Sequence, residues 1–196
     1  MPYCSCMRSV CFSLLAALCA VGASAQSIFT VVQTPNGHHG VSNNGLQAVA
    51  ASSPSDIWAV GQTAIHYDGA HWTAFTTPMI NGDNTSYLDG VVDISPTEAW
   101  AAGIVGVGTG TPNQIIERWD GTAWSVYPGP AFTSSEQPAI YGMTGLSSTN
   151  IWAVGSLLYE NAYLYELFEH WDGHGPRQHG GGGEGESGRR RRCHLY

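Results

Sequence analysis

The sequence predicts an all-β fold built from groups of four short antiparallel strands. Three observations carry that expectation. A Trp-centred segment returns twice along the chain, each copy is followed by an Asp-Gly hairpin signal, and no window sustains a helical period. The 196 residues include 25 Gly and 10 Pro, with 43% hydrophobic and 11% aromatic side chains, enough to pack a core between frequent turns.

The first copy runs Leu46-Gln-Ala-Val-Ala-Ala-Ser-Ser-Pro-Ser-Asp-Ile-Trp58-Ala-Val-Gly61. It returns as Leu88-Asp-Gly-Val-Val-Asp-Ile-Ser-Pro-Thr-Glu-Ala-Trp100-Ala-Ala-Gly103 and as Ile140-Tyr-Gly-Met-Thr-Gly-Leu-Ser-Ser-Thr-Asn-Ile-Trp152-Ala-Val-Gly155. A second signature follows each: His66-Tyr-Asp-Gly-Ala-His-Trp72, Arg118-Trp-Asp-Gly-Thr-Ala-Trp124 and His170-Trp-Asp-Gly173. Trp58 to Trp100 is 42 residues and Trp100 to Trp152 is 52, the difference lying between the two signatures.

Taken in order, each unit gives four strands. The first starts at Leu46, Leu88 or Ile140, and a Ser-Pro-Ser-Asp type turn closes it, Pro suiting the second position of a type I turn. The second carries the Trp and ends at Gly61, Gly103 or Gly155. The third ends in the His/Arg-aromatic pair, and Asp-Gly turns it into the fourth because both residues tolerate positive φ. The fourth carries Trp72-Thr-Ala-Phe75 or Trp124-Ser-Val-Tyr127 and stops at Pro78 or Pro130. Four antiparallel strands per repeat is a β-propeller blade. The fold class is therefore all-β with β-propeller-type blades of four antiparallel strands, incomplete at about three blades: 46–78, 88–130 and 140–173, with 27–35 as a stray outer strand.

The Trp-Ala-Val-Gly and His-Trp-Asp-Gly-x-x-Trp patterns resemble those of secreted bacterial β-propeller repeat proteins, loosely akin to kelch-like, Asp-box (sialidase-like) and photosystem-assembly-factor-like repeats. The resemblance covers about 27–173 and implies the fold. The paired Gly of kelch repeats is missing, the Asp-box spacing is not met, and the Trp-Asp pair precedes a hairpin Gly rather than standing where a WD40 repeat places it.

The ends read differently. Arg8, the apolar run 11–21 and Ala23-Ser-Ala25 form a secretory signal peptide over 1–25, too short to span a bilayer and cut after Ala25. The mature protein is expected to be secreted, periplasmic or on the cell surface. Cys4, Cys6, Cys11 and Cys19 leave with the leader and Cys193 lies in the tail, so the repeats hold no disulfide framework. The tail 174–196, rich in Gly and Arg, is expected to be disordered and is compatible with an out-of-frame or truncated product; Arg189 to Arg192 would alternatively bind polyanions.

Charge excludes several partners. There is no Lys, and 26–173 holds Arg118 alone against 13 Asp and Glu. Such a region repels phosphate backbones and anionic bilayers, so neither nucleic acid nor membrane insertion after leader removal is expected.

Among residues able to carry chemistry, the repeated Trp side chains read as blade packing and Asp68, Asp120 and Asp172 as turn formers. No catalytic residue is assigned: nucleophile elbow, phosphate loop and His-Glu-x-x-His are all missing. Asn81, Asp83, Thr85 and Asp89 alternate oxygen ligands as a Ca²⁺ loop does, but without its bidentate Glu, so no cofactor is expected beyond Ca²⁺ as the one candidate. Insertions at 104–114 and 156–163 and the connections 36–45, 79–87 and 131–139 read as long loops on one face, opposite the tight turns. Tyr87, Tyr159 and Tyr163 supply flat, partly polar contacts there, so that face is expected to bind a protein or glycan. The readings carried forward are a non-enzymatic binding module, a fragment of a sialidase-like or lyase-like enzyme, and a product without function of its own. Open blade edges also predict self-association.

Overall fold

A computed structural model describes residues 30–35, 45–78, 86–106, 113–174 and 194–195. The expected signal peptide, 1–25, lies outside these residues. Every described strand belongs to the unit Gln33–Tyr196.

The first repeat folds as β1 (Leu46–Ser53), β2 (Asp56–Gly61), β3 (Ala64–Tyr67) and β4 (Trp72–Phe75), paired in that order as one antiparallel sheet. The second gives β5 (Tyr87–Ser95), β6 (Glu98–Val105), β7 (Asn113–Trp119) and β8 (Trp124–Val126), again in chain order. The third gives β9 (Glu136–Ser147), β10 (Asn150–Tyr159) and β11 (Tyr163–Trp171), with β12 (His194–Leu195) beside β11. β12 runs parallel, pairing only Glu169 with His194 and His170 with Leu195. The other residues of the expected disordered tail lie outside the described ones, apart from His174. Of the expected outer strand 27–35, residues 30–35 are described; they are exposed and belong to no sheet.

The repeated turns form for the reasons the sequence suggests. Asp120 Oδ1 accepts from the Thr122 and Ala123 N–H groups at 2.8 and 2.9 Å and from the Thr122 hydroxyl at 2.7 Å. Those bonds, the hydroxyl first, hold its carboxyl down to about 2. Asp68 accepts from Ala70 and His71 in the same way, and Gly69, Gly121 and Gly173 take φ of 94°, 94° and 87°. A Cβ on each of these glycines would press on Ser55, Thr97 or Thr149 of the turn between the unit's first two strands. Both tight turns of a blade therefore share one face, as expected.

The Gly that closes each second strand has a separate cause. At Gly61, Gly103 and Gly155 a Cβ would overlap the carbonyl oxygen of Gly45, Tyr87 or Ala139. Strand one bulges there, its register slipping between Leu46 and Ala48, Leu88 and Gly90, and opposite Val154 and Gly155, so the backbones approach too closely for a side chain.

Packing repeats with the sequence. Trp58 is fully buried, its ring 5.0 Å from Trp119 and 4.9 Å from Trp124 of the second sheet and 5.3 Å from Phe75 of its own. Trp100 packs likewise on Tyr127 at 4.7 Å and on Trp171 of the third sheet at 5.7 Å. Trp58 and Trp100 thus each join their own sheet to the next, and this aromatic seam runs through two of the buried clusters that form the core. His66, Arg118 and His170 sit over Trp58, Trp100 and Trp152 at 4.6, 5.5 and 4.0 Å. Their shared role is stacking, which His and Arg both perform.

Candidate binding surface

The face opposite the tight turns differs from the expected set of long loops. In the third unit residues 156–163 are not a loop: β10 and β11 extend to Tyr159 and Tyr163, and β9 lengthens with them by starting at Glu136. The segments Ser-Leu-Leu-Tyr and Tyr-Leu-Tyr-Glu-Leu-Phe are apolar and aromatic, suited to a pleated surface, and this outweighs the loop suggested by length alone. Glu160 and Asn161 make the turn with φ of 52° and 55°, closed by the Ala162 N–H on the Tyr159 carbonyl at 3.1 Å. The Glu160 N–H donates to the Ser135 carbonyl at 2.8 Å, and the Gln137 amide donates to Asn161 at 2.7 Å, tying the tip to β9. In the second unit β6 and β7 leave only 106–112 between them, of which 107–112 lie outside the described residues. The connection expected over 131–139 likewise shortens, its last residues entering β9.

This three-stranded ribbon presents the expected tyrosines. Tyr159 and Tyr163 stand directly across from one another, and Tyr165 faces Leu157 two positions along, so the three phenols share one face. Tyr163 is 58% exposed and Tyr165 44%, while Tyr159 is half-buried. Tyr87 lies elsewhere, half-buried at the start of β5 opposite Ile104. The structure brings two of the three predicted residues together and adds Tyr165. The opposite face of the third sheet carries Trp152, Val154, Leu164 and Phe168, all exposed. The repeat itself could have signalled this: Trp152 holds the position at which Trp58 and Trp100 are covered by a following sheet.

Of the Ca²⁺ candidates, Asn81, Asp83 and Thr85 lie outside the described residues. Asp89 occupies the bulge of β5, half-buried, and burial raises its pKa. Among the described residues no three His, Cys, Asp or Glu converge as a metal set.

A polar cluster missed by sequence reasoning lies where the first two sheets meet at the tight-turn face. Asp56 accepts from the Ser52 hydroxyl and bonds His66 Nε2 at 2.6 Å, while the Ser52 N–H donates to Asp93 at 3.0 Å. Burial, opposed by the Ser52 N–H, pushes Asp93 up to about 6. Ser52 and His66 both bond Asp56, and no Ser–His hydrogen bond forms, so the relay that activates a serine nucleophile is not assembled. The cluster joins two sheets.

Between the second and third sheets opens a small cleft of about 50 Å³, lined by Trp100, Tyr127, Met143, Ile151, Glu169 and Trp171 among others. Glu169 is 6% exposed, its Oε1 has no hydrogen-bond partner, and burial pushes its pKa up to about 7 against the lowering effect of Gln114. It repeats the position of Glu117, buried between the first two sheets.

No family profile matches the chain, and no curated protein matches it. A solved structure described as "YCF48 bound to D1 peptide" is similar, with a TM-score of 0.45 and 13% identity over 69% of this chain and 42% of that one. The chain spans less than half the length of that structure.

Proposed function

We propose that this chain is an exported, non-enzymatic β-propeller-type repeat module that binds a protein or glycan partner through the ribbon tip of its third blade. One observation carries the reading: Tyr159, Tyr163 and Tyr165 share a face beyond the sheet's packed part, on strands stiffened by the tight turn over 160–162 and by cross-ties to β9. Phenol rings offer broad contact area at small entropic cost, with a hydroxyl for a polar partner. Export is supported by the leader-like composition of 1–25. The third sheet's exposed second face supports self-association as an added property.

The test is a screen of peptide and glycan arrays with the full chain and with Tyr159→Ala and Tyr163→Ala. A ligand that both variants bind at least about tenfold more weakly, with unfolding midpoints unchanged, supports the reading. Ligands bound equally by the variants, but lost when Thr97 on the tight-turn face is changed, contradict it.

A further inference from the structure

The register of the third sheet lines up one row of side chains at the ribbon tip. Tyr159 pairs with Glu136 of β9 on one side and with Tyr163 of β11 on the other, so a carboxylate and two phenols stand side by side on one face. Neighbouring strands lie about 4.8 Å apart, which puts Glu136 and Tyr163 about 10 Å from each other across the row. Glu136 is fixed in place. Its Oε2 accepts from the Thr133 N–H at 3.0 Å and from the Thr133 hydroxyl at 2.9 Å, and its own N–H donates to the Thr133 carbonyl at 2.9 Å. Tyr163 ends the row, 58% exposed, and Tyr165 follows it two positions along on the same face.

The charge around this row has one sign. Glu160 is exposed in the turn beside Tyr159, and Glu166 is exposed on the other face of β11, opposite Ser156. Residues 136–171, which make β9, β10 and β11, contain no Lys or Arg. The single Arg of 26–173, Arg118, is held in the second sheet, over Trp100 and 3.1 Å from Glu98. Carboxylates with no cation among them draw positive charge and repel anions. A phenol face attracts a cation through its ring quadrupole, and a planar guanidinium can stack there while its N–H fork meets a carboxylate. An Arg side chain laid along the row finds both. A neutral glycan would stack on the phenols and draw nothing from the net charge.

We propose that this row, with Glu160 beside it, docks a basic, Arg-containing segment of a partner protein, a guanidinium stacking on a phenol and pairing with a carboxylate. The proposal rests on the reading of the tip as the binding surface and adds the chemistry of its partner.

The probes are labelled peptides of repeating Gly-Ser-Arg, with Lys, Gln or Glu in place of Arg, and a neutral N-acetylglucosamine oligomer. Each is titrated against the full-length protein by fluorescence anisotropy. The Arg peptide should bind saturably, at least about threefold more tightly than its Lys counterpart, because only Arg adds stacking to charge. Raising the salt should weaken it about tenfold. Tyr163→Ala or Glu160→Gln should weaken it about fivefold or more, Tyr163→Phe should retain it because the ring holds the cation, and Asp120→Asn, which removes the same charge on the tight-turn face, should change it by less than about twofold. Equal loss in the Glu160 and Asp120 variants would reduce the effect to overall charge and overturn the proposal. Tyr163-dependent binding of the glycan or the Gln peptide, without binding of the Arg peptide, would keep the tip as the surface and overturn its assigned chemistry. Arg-peptide binding indifferent to Tyr163→Ala would overturn the tip itself. Binding seen only after Arg189 to Arg192 are changed to Ser would put the chain's own tail on the surface and overturn the choice of a separate partner.

Discussion

Replacing Glu169 by Gln should make this protein more stable in mild base and little changed in mild acid. The carboxyl is buried against Trp100 and Trp171 with one oxygen unpartnered, and its pKa rises from 4.5 to about 7 because burial disfavours the charged form. The folded protein thus holds this proton more tightly than the unfolded chain. The stability it contributes is complete below pH 4.5 and is lost as pH climbs through about 7. At ~1.4 kcal/mol per tenfold change in proton affinity, the loss approaches about 3 kcal/mol once both states are ionised. Glu169→Gln cannot ionise and should escape it. Urea unfolding at about pH 5 and about pH 8.5 measures this, comparing the variant with the wild type so that other titrating groups cancel. An equal pH dependence in the two proteins would refute the assigned burial and the partnerless oxygen.

Trp58→Ala, at a fully buried four-ring junction, should cost about 3–5 kcal/mol in denaturant unfolding. Trp152→Ala, in the same repeat position but 36% exposed, should cost less than about 2 kcal/mol; equal costs would contradict the open outer face of the third sheet. Gly155→Ala places a Cβ on the Ala139 carbonyl and should destabilise by about 1–3 kcal/mol or more by the same assay. The exported protein should begin at Gln26, which mass spectrometry of the mature chain checks, a retained leader being the contrary result.

The repeat was legible because its cause is local. Trp58, Trp100 and Trp152 mark the second strands, Asp-Gly marks the hairpins, and each recurs in its unit, so strand order and the tight-turn face follow from spacing alone. The ribbon of the third sheet was only half legible. Tyr159 and Tyr163 were identifiable as displayed aromatics, but counting the insertion by length concealed that Leu157, Leu158 and Leu164 alternate as strand residues, with Glu160-Asn161 as the turn. Glu169 and the Ser52–Asp56–His66–Asp93 cluster were not legible. Their proximity arises where one sheet packs on the next, which no single repeat encodes. The bulge behind Gly61, Gly103 and Gly155 escaped for a related reason: a Gly at a strand end reads as a terminator until the neighbouring backbone is in place.

The central claim, that the ribbon tip engages a partner, is tested most directly by site-specific photo-crosslinking in cells that express the protein. A photoreactive side chain is placed at Tyr163 in one variant and at Thr97 on the tight-turn face in another. A discrete crosslinked species from position 163, suppressed by Tyr159→Ala and missing from position 97, is the expected result. Crosslinking from 97 alone, or equally from both positions, would contradict the account.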